Sequence, residues 1–155
     1  GTTEGQGGDA AAATGDNPCG VVSQQQWEQL FGSGVKKSDA SGGADNCNVL
    51  TSGSSPGHEI SFVNFTANLS NTTFDAQVVF NPPCGSAPAA ALAGVGDKAV
   101  LDTSCLAISG RAWVIAEVDG DVVGLFYNAG EPAKAEPATV ASTLTTIAKD
   151  ALAAR

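Results

Sequence analysis

Hydrophobic and polar residues alternate most regularly in the second half of the chain. The alternation predicts strands over residues 98–101, 104–108, 112–118 and 122–127. Between the last two lies Asp119-Gly120, a dipeptide typical of the two-residue type I′ turn, in which both central residues have a positive φ. The pattern therefore predicts an antiparallel meander that contains a tight β-hairpin.

Helical patterns flank this meander. Ser23, followed three residues later by Gln26, forms a capping-box pattern that predicts a helix over residues 24–31. Near the C-terminus, Pro137 suits a first helical position. Apolar residues then recur at helical spacing at Val140, Leu144, Ile147, Ala151 and Leu152. Consecutive strands with helices at the two ends indicate an α+β fold, in which an antiparallel sheet packs between an N-terminal and a C-terminal helix.

Two segments in the middle of the chain have less regular patterns. Residues 58–69 are rich in β-branched and aromatic residues and predict a strand. Their apolar positions change parity, because Ile60 and Phe62 face one side of such a strand and Val63 and Phe65 face the other. A β-bulge or burial of both faces would explain the change. Residues 72–80 fit a short helix and a strand equally well, since periodicity cannot decide at that length.

The length of 155 residues suits one domain. Residues 1–16 are mostly Gly, Ala, Thr and acidic residues, the composition of a flexible tether, so the folded domain is expected over residues 17–155. The chain contains no Met and begins at Gly1, from which we expect a processed end that was held at a surface. Sixteen acidic residues against seven basic ones give a net charge of −9, which disfavours nucleic acid and anionic lipid headgroups as partners.

The four cysteines form an even set without a C-x-x-C pair, and the chain has a single histidine. Two disulfides are therefore expected instead of a zinc site. Four cysteines allow three pairings, of which the sequential one, Cys19 with Cys47 and Cys84 with Cys105, closes the smallest loops. Each such bridge is worth about 3–4 kcal/mol in the chain-entropy description. Disulfides of this kind imply an oxidising compartment outside the cytoplasm.

Three further patterns carry weak chemical signals. The stretch "GVGDKAVLD", residues 94–102, has two glycines ahead of a strand but lacks the rest of either phosphate-binding motif, so we expect a tight turn. His58 has no nucleophile motif and no second imidazole nearby, which favours a loop residue over a catalytic or zinc-binding one. Asp119 and Asp121 are too few for calcium, and the hairpin turn accounts for them. No metal, cofactor or catalytic centre is expected.

Aromatic residues are the candidates for a site that holds an apolar ligand. The candidate ligand-binding residues are Trp27, Trp113, Phe126 and Tyr127. Alternation along residues 111–118 places Trp113 and Ile115 on one face and Val114 on the other. Because both faces are apolar, a place in the core is the main expectation for Trp113, although its indole N–H still needs a hydrogen-bond partner.

The order of these features resembles a known family. The stretch "NPCGVVSQQQWEQLFG", Cys47 at the start of an extended segment, "GVGDKAV", paired strands and a final helix are similar to the small secreted actinobacterial lipoproteins of unknown function. The resemblance covers residues 17–155. It implies a bond between Cys19 and Cys47, a lipid anchor on a cysteine just before Gly1, and a PsbP-like sandwich of antiparallel sheet between helices. This chain departs from the family by its extra pair, Cys84 and Cys105.

These observations rank three functions. The first is a membrane-anchored binding or accessory lipoprotein outside the cytoplasm, which is not an enzyme and holds an unknown small apolar ligand in a cleft. The alternative is a protein-interaction subunit of a cell-envelope complex, whose partner is an envelope protein. A secreted hydrolase comes third, because such enzymes almost always show a nucleophile with a base in reach.

Overall fold

A computed structural model describes residues 18–43, 46–51, 61–66, 69, 72–85, 88–130 and 133–154. In these residues one antiparallel sheet has the strand order β1-β2-β3-β7-β6-β5-β4. Its strands are β1 (Ser41–Gly42), β2 (Asn46–Leu50), β3 (Phe62–Thr66), β4 (Ala90–Ala91), β5 (Lys98–Asp102), β6 (Arg111–Val118) and β7 (Asp121–Asn128). The helices are α1 (Gln24–Phe31), α2 (Phe74–Phe80), α3 (Leu106–Ser109) and α4 (Pro137–Ala154), with a 3₁₀ turn at Pro18–Val21. The expected α+β class is confirmed.

The predicted N-terminal helix is confirmed residue by residue in α1. The Ser23 side chain accepts a hydrogen bond from the Gln26 backbone N–H at 3.1 Å. The Gln26 side chain in return accepts one from the Ser23 backbone N–H at 3.0 Å. This reciprocal pair satisfies two N–H groups that a helix start would otherwise leave without partners.

The predicted hairpin joins β6 and β7, which pair along their whole length from Arg111 opposite Asn128 to Val118 opposite Asp121. Asp119 has a φ of 52° and Gly120 a φ of 85°, as a type I′ turn requires. The two strands are the longest of the sheet and lie at its centre, between β3 and β5. The hairpin therefore sets the register of the sheet.

The strand predicted over residues 104–108 is wrong, because this segment contains α3. The Asp102 carboxylate accepts hydrogen bonds from the Ser104 backbone N–H at 3.2 Å and from its hydroxyl at 3.0 Å, which turns the chain out of β5. Gly110 ends the helix with a φ of 73°. A short apolar run of this length carries too few periods to distinguish strand from helix.

The ambiguous segment over residues 72–80 contains α2. Thr73 caps this helix, since its hydroxyl accepts a hydrogen bond from the Ala76 backbone N–H at 3.1 Å. Of the strand predicted over residues 58–69, the structure describes β3, with Val63 and Phe65 buried on one face. Ile60 lies outside the described residues.

The two faces of the sheet carry unequal helical layers. The larger core lies on one face, where Trp27 and Leu30 of α1 and Leu144 and Ile147 of α4 meet Val114 of β6. The helices at the two ends of the chain thus share this face, and four of the five apolar positions predicted for α4 are buried. A second, smaller core lies on the opposite face, where α2 covers part of the sheet. Its buried members are Phe74, Trp113, Ile115 and Val122.

Both expected disulfides are present, Cys19–Cys47 and Cys84–Cys105. The first joins the 3₁₀ turn to β2 inside the larger core, and the second joins the segment after α2 to the residue before α3. Bonds of this kind indicate an oxidising, extracytoplasmic environment. Within the described ranges, no helix combines the length and the apolar character needed to cross a bilayer.

Removal of the buried disulfide gives a direct test of its contribution. We expect the double substitution Cys19→Ala with Cys47→Ala to lower the free energy of unfolding by about 3–4 kcal/mol, because the unfolded chain regains the entropy of an open loop. Urea denaturation of the variant and of the parent protein measures the difference. An unchanged free energy of unfolding would contradict this account of the larger core.

Tyr127 fastens the hairpin to α1. Its hydroxyl donates a hydrogen bond to the Leu30 carbonyl oxygen at 2.7 Å, and its ring lies 5.0 Å from that of Phe31. Burial disfavours the phenolate and raises the pKa of Tyr127 from 10.0 to about 12. The hydroxyl is therefore held in its neutral, donating form.

Titration of Tyr127 provides the second test, since the chain contains one tyrosine. We expect the phenolate absorbance at about 295 nm to appear in the native protein near pH 12, and near pH 10 in the urea-unfolded protein. Because the native state holds its proton to higher pH than the unfolded state, stability is full below pH 10 and falls as the pH rises towards 12. A native titration midpoint near 10 would contradict the buried hydrogen bond.

Candidate functional site

The structure divides the four aromatic candidates into two pairs on opposite faces of the sheet. Trp113 and Phe126 are directly paired across β6 and β7 and lie on the face of α2. Trp27 and Tyr127 lie in the larger core on the other face, where Phe31 stacks between their rings. Trp27 is completely buried, and its indole N–H has no hydrogen-bond partner in the described part of the chain. The four residues do not line one common pocket.

Trp113 and Phe126 border a groove of about 780 Å³ on the face of α2. Four adjacent strands, β2, β3, β7 and β6, supply its floor, and their register arranges the floor side chains in two rows. One row runs Leu50, Phe62, Asn128, Arg111, and the next runs Asn48, Asn64, Phe126, Trp113. The floor thus combines apolar rings, amide groups and one guanidinium.

The segment that follows α2 forms the wall of the groove. It consists of Phe80, Asn81, Pro82, Pro83 and Cys84. Two consecutive prolines restrict the backbone of this wall. The disulfide of Cys84 fastens its end beside α3, and the Cys84 backbone N–H donates a hydrogen bond to the Ser104 hydroxyl at 2.8 Å. The wall is therefore tied to the sheet by a covalent bond, while the Phe80 side chain at its start is 78% exposed.

A hydrogen-bonded amide cluster fixes the far end of the floor. The Asn64 side-chain nitrogen donates to the Asn48 side-chain oxygen at 2.7 Å and to the Cys47 carbonyl oxygen at 3.2 Å. The Asn64 oxygen accepts a hydrogen bond from the Thr66 hydroxyl at 2.9 Å. Asn64 also begins an Asn-x-Thr sequon, and the nitrogen that a glycan would need is engaged in these bonds. The cluster gives this end of the groove a preformed polar surface.

Gly124 determines where the Phe126 ring lies. A Cβ atom at position 124 would come within 2.5 Å of Cε2 and 2.7 Å of Cζ of Phe126, which places the ring directly over the glycine. The neighbouring strands leave no side chain at this point, so the ring lies along the floor instead of standing across the groove. Gly124 thereby shapes the groove.

A second cavity, of about 460 Å³, lies on the other side of the sheet beside the ends of α1 and α4. Its lining includes Glu28, Lys134 and Glu136. Three charged side chains make this cavity a poorer match for an apolar molecule than the groove on the face of α2.

The remaining candidate motifs have structural roles or lie outside the described residues. Gly94 and Gly96 have positive φ values and form the turn that leads into β5. Asp97 accepts a hydrogen bond from the Asp119 backbone N–H at 2.8 Å, which joins this turn to the hairpin turn. His58 and residues 1–16 lie outside the described residues. In the described part of the chain, no group of His, Cys, Asp and Glu is placed to hold a metal ion.

Sequence reasoning missed most of the groove. Phe62 was assigned to a strand without a partner strand, Phe80 to a segment of undecided structure, and Arg111 and Gly124 were not considered. The alternation of β6 carried a signal for Arg111, because it shares a face with Trp113. The pairing of β3 with β7 brings Phe62 to Asn128 across a long stretch of chain, and no local pattern reports it.

Comparison with protein-family models, with curated proteins and with solved structures finds no match to this chain. The resemblance to actinobacterial lipoproteins stays a prediction. A function is therefore inferred from the groove itself.

A substitution at Gly124 tests the shape of the groove. We expect Gly124→Ala to push the Phe126 ring into the groove and to weaken binding of the neutral apolar dye N-phenyl-1-naphthylamine about fivefold or more, since the ring then occupies space that the dye needs. Dye fluorescence measures the affinity. The matched control is Gly20→Ala, because a Cβ at position 20 meets nothing within 4 Å. Equal dye affinity in the two variants would contradict the role of Gly124.

Proposed function

We propose that this protein is a non-catalytic binding protein outside the cytoplasm, which holds a small apolar molecule in the groove beside α2. The observation that carries the proposal is the groove of about 780 Å³ with Phe62, Phe126 and Trp113 on its floor. Ligand sites in proteins typically have volumes of about 300–1,000 Å³ and combine apolar walls with a few polar groups. Phe80 and Leu50 expose apolar surface at its border, which a bound molecule would cover.

The compartment and the anchor rest on separate support. Two disulfides support a protein that works in an oxidising environment. The tether composition of residues 1–16 and the resemblance to secreted lipoproteins support attachment to the outer face of the cytoplasmic membrane. A tether of this kind would keep the groove near the membrane while leaving the domain free to turn.

A protein-interaction role is the second candidate, and one observation favours it. Val79 and Phe80 are adjacent, and each is 78% exposed. Ile108 of α3 is also largely exposed. Neighbouring exposed apolar side chains are typical of surfaces that contact another protein. In this reading the end of α2, not the groove, is the binding surface.

Two neighbouring substitutions separate these functions. Phe80 lines the groove and Val79 does not, although both are equally exposed. We expect Phe80→Ser to weaken binding of N-phenyl-1-naphthylamine about three- to tenfold, because the groove loses one of its apolar walls, while Val79→Ser leaves binding unchanged. Dye titration followed by fluorescence measures both affinities, and thermal unfolding checks that both variants are folded.

The contrary outcomes are clear in this experiment. A parent protein that does not bind the dye would contradict the proposed function. Equal losses of affinity in Phe80→Ser and Val79→Ser would favour a contact surface at the end of α2 over a ligand groove.

A further inference from the structure

The charge of the groove is opposite to that of the protein. The chain carries sixteen acidic and seven basic residues, yet Arg111 is the one charged side chain among the described residues that line the groove. The other polar groups of the lining are neutral amides, such as those of Asn128 and Asn64. An isolated positive charge beside apolar rings indicates a ligand with one negative group and an apolar body.

The Arg111 guanidinium is held at one side and open at the other. Its Nε donates a hydrogen bond to the Ser109 hydroxyl at 3.1 Å. In the described part of the chain, neither terminal Nη nitrogen has a partner, and Arg111 forms no ion pair. A guanidinium presents its donors in a planar fork that matches the two oxygens of a carboxylate. Ser109 thus fixes the orientation of the group while leaving its Nη donors for a ligand.

The nearest acid on this face of the sheet does not neutralise Arg111. Asp102 pairs with Trp113 across β5 and β6, which places it diagonal to Arg111. Its buried carboxylate accepts hydrogen bonds from the Ser104 backbone N–H and hydroxyl. These bonds belong to the turn before α3, so the Asp102 carboxylate is directed to Ser104 and not to Arg111.

Apolar surface begins one step away from this charge. Arg111 pairs with Asn128, and Phe126 is the next residue of β7 on the same face, diagonal to Arg111. Phe62 lies opposite Asn128 on the other side. Diagonal neighbours in a sheet are about 7–8 Å apart, so a molecule with its charged end at Arg111 reaches both rings with its first few carbon atoms.

We propose that the ligand of the groove is a long-chain carboxylic acid. Its carboxylate binds the Nη atoms of Arg111, and its alkyl chain lies over Phe126 and Phe62 towards the Phe80 wall. A monoanion fits better than a phosphate monoester, because one guanidinium balances one charge, whereas a dianion in this acidic protein would require further cations. The proposal rests on the proposed function and specifies the ligand class.

Three probes with the same alkyl chain test the charge preference: dodecanoate, dodecan-1-ol and dodecyltrimethylammonium. Isothermal titration calorimetry at about pH 8, with each probe kept monomeric, measures the dissociation constants while the carboxylate is ionised. We expect dodecanoate to bind about tenfold more tightly than dodecan-1-ol, as one charge-assisted hydrogen-bonded pair provides, and the cation to bind more weakly than both. Arg111→Gln is expected to bring dodecanoate to the level of dodecan-1-ol while the alcohol keeps its affinity.

The control for charge is Lys149→Gln, which lowers the net charge by the same amount from an exposed position on α4, on the other face of the sheet. It is expected to keep the tenfold preference for dodecanoate. Equal binding of dodecanoate and dodecan-1-ol to the parent protein would overturn the carboxylate proposal but leave the apolar groove intact. Equal loss of preference in Arg111→Gln and Lys149→Gln would overturn the role of Arg111. No binding of any probe would overturn the proposed function together with its ligand.

Discussion

The register between β6 and β7 determines what each face of this protein can do. A two-residue turn joins the strands, so Val118 must lie opposite Asp121 and every later pair follows from it. Trp113 therefore lies opposite Phe126, and Tyr127 points to the other face. A slip of one residue would exchange the faces, moving Tyr127 out of reach of Leu30 and the floor residues into the larger core. Stability and site depend on the same hydrogen-bonded ladder.

The groove exists because the two helical layers differ in length. α4 has 18 residues and extends about 27 Å, enough to lie along much of the sheet, and α1 packs beside it. α2 has seven residues and extends only about 10 Å, which covers two or three strands at a spacing of about 4.8 Å. It shields Trp113 and Ile115 and leaves the floor on β2 and β3 half-exposed. The second disulfide then holds the chain after α2 as a wall and not as a cover.

Local signals in the sequence were sufficient for the elements with complete local chemistry. The capping box of Ser23 and Gln26 and the turn at Asp119-Gly120 each contain their own hydrogen-bond partners or backbone geometry, so α1 and the hairpin were predicted correctly. The hairpin register even implies the pairing of Trp113 with Phe126. The α3 segment failed because its helical turn depends on the Asp102 side chain and on a disulfide, neither of which affects hydrophobic periodicity.

The floor of the groove was beyond such reasoning, since β3 and β7 are far apart in sequence and no turn connects them. The role of Gly124 was hidden for a related reason. A glycine in a strand shows only that a side chain is missing, and the Phe126 ring that uses the space is known only once both side chains have positions.

An acidic protein that binds an acidic ligand separates two ranges of electrostatics. At about 0.15 M salt, charges farther apart than about 8 Å are largely screened, so the net charge of −9 has little influence on a ligand that has reached the groove. Arg111 acts at contact distance, where its Nη donors meet the carboxylate beside the apolar rings and screening is weaker. Its contribution therefore belongs to the lifetime of the complex more than to the rate of encounter, which the acidic surface slows. Under the proposed carboxylate binding, added salt would relieve the long-range repulsion first and weaken the contact with Arg111 only afterwards.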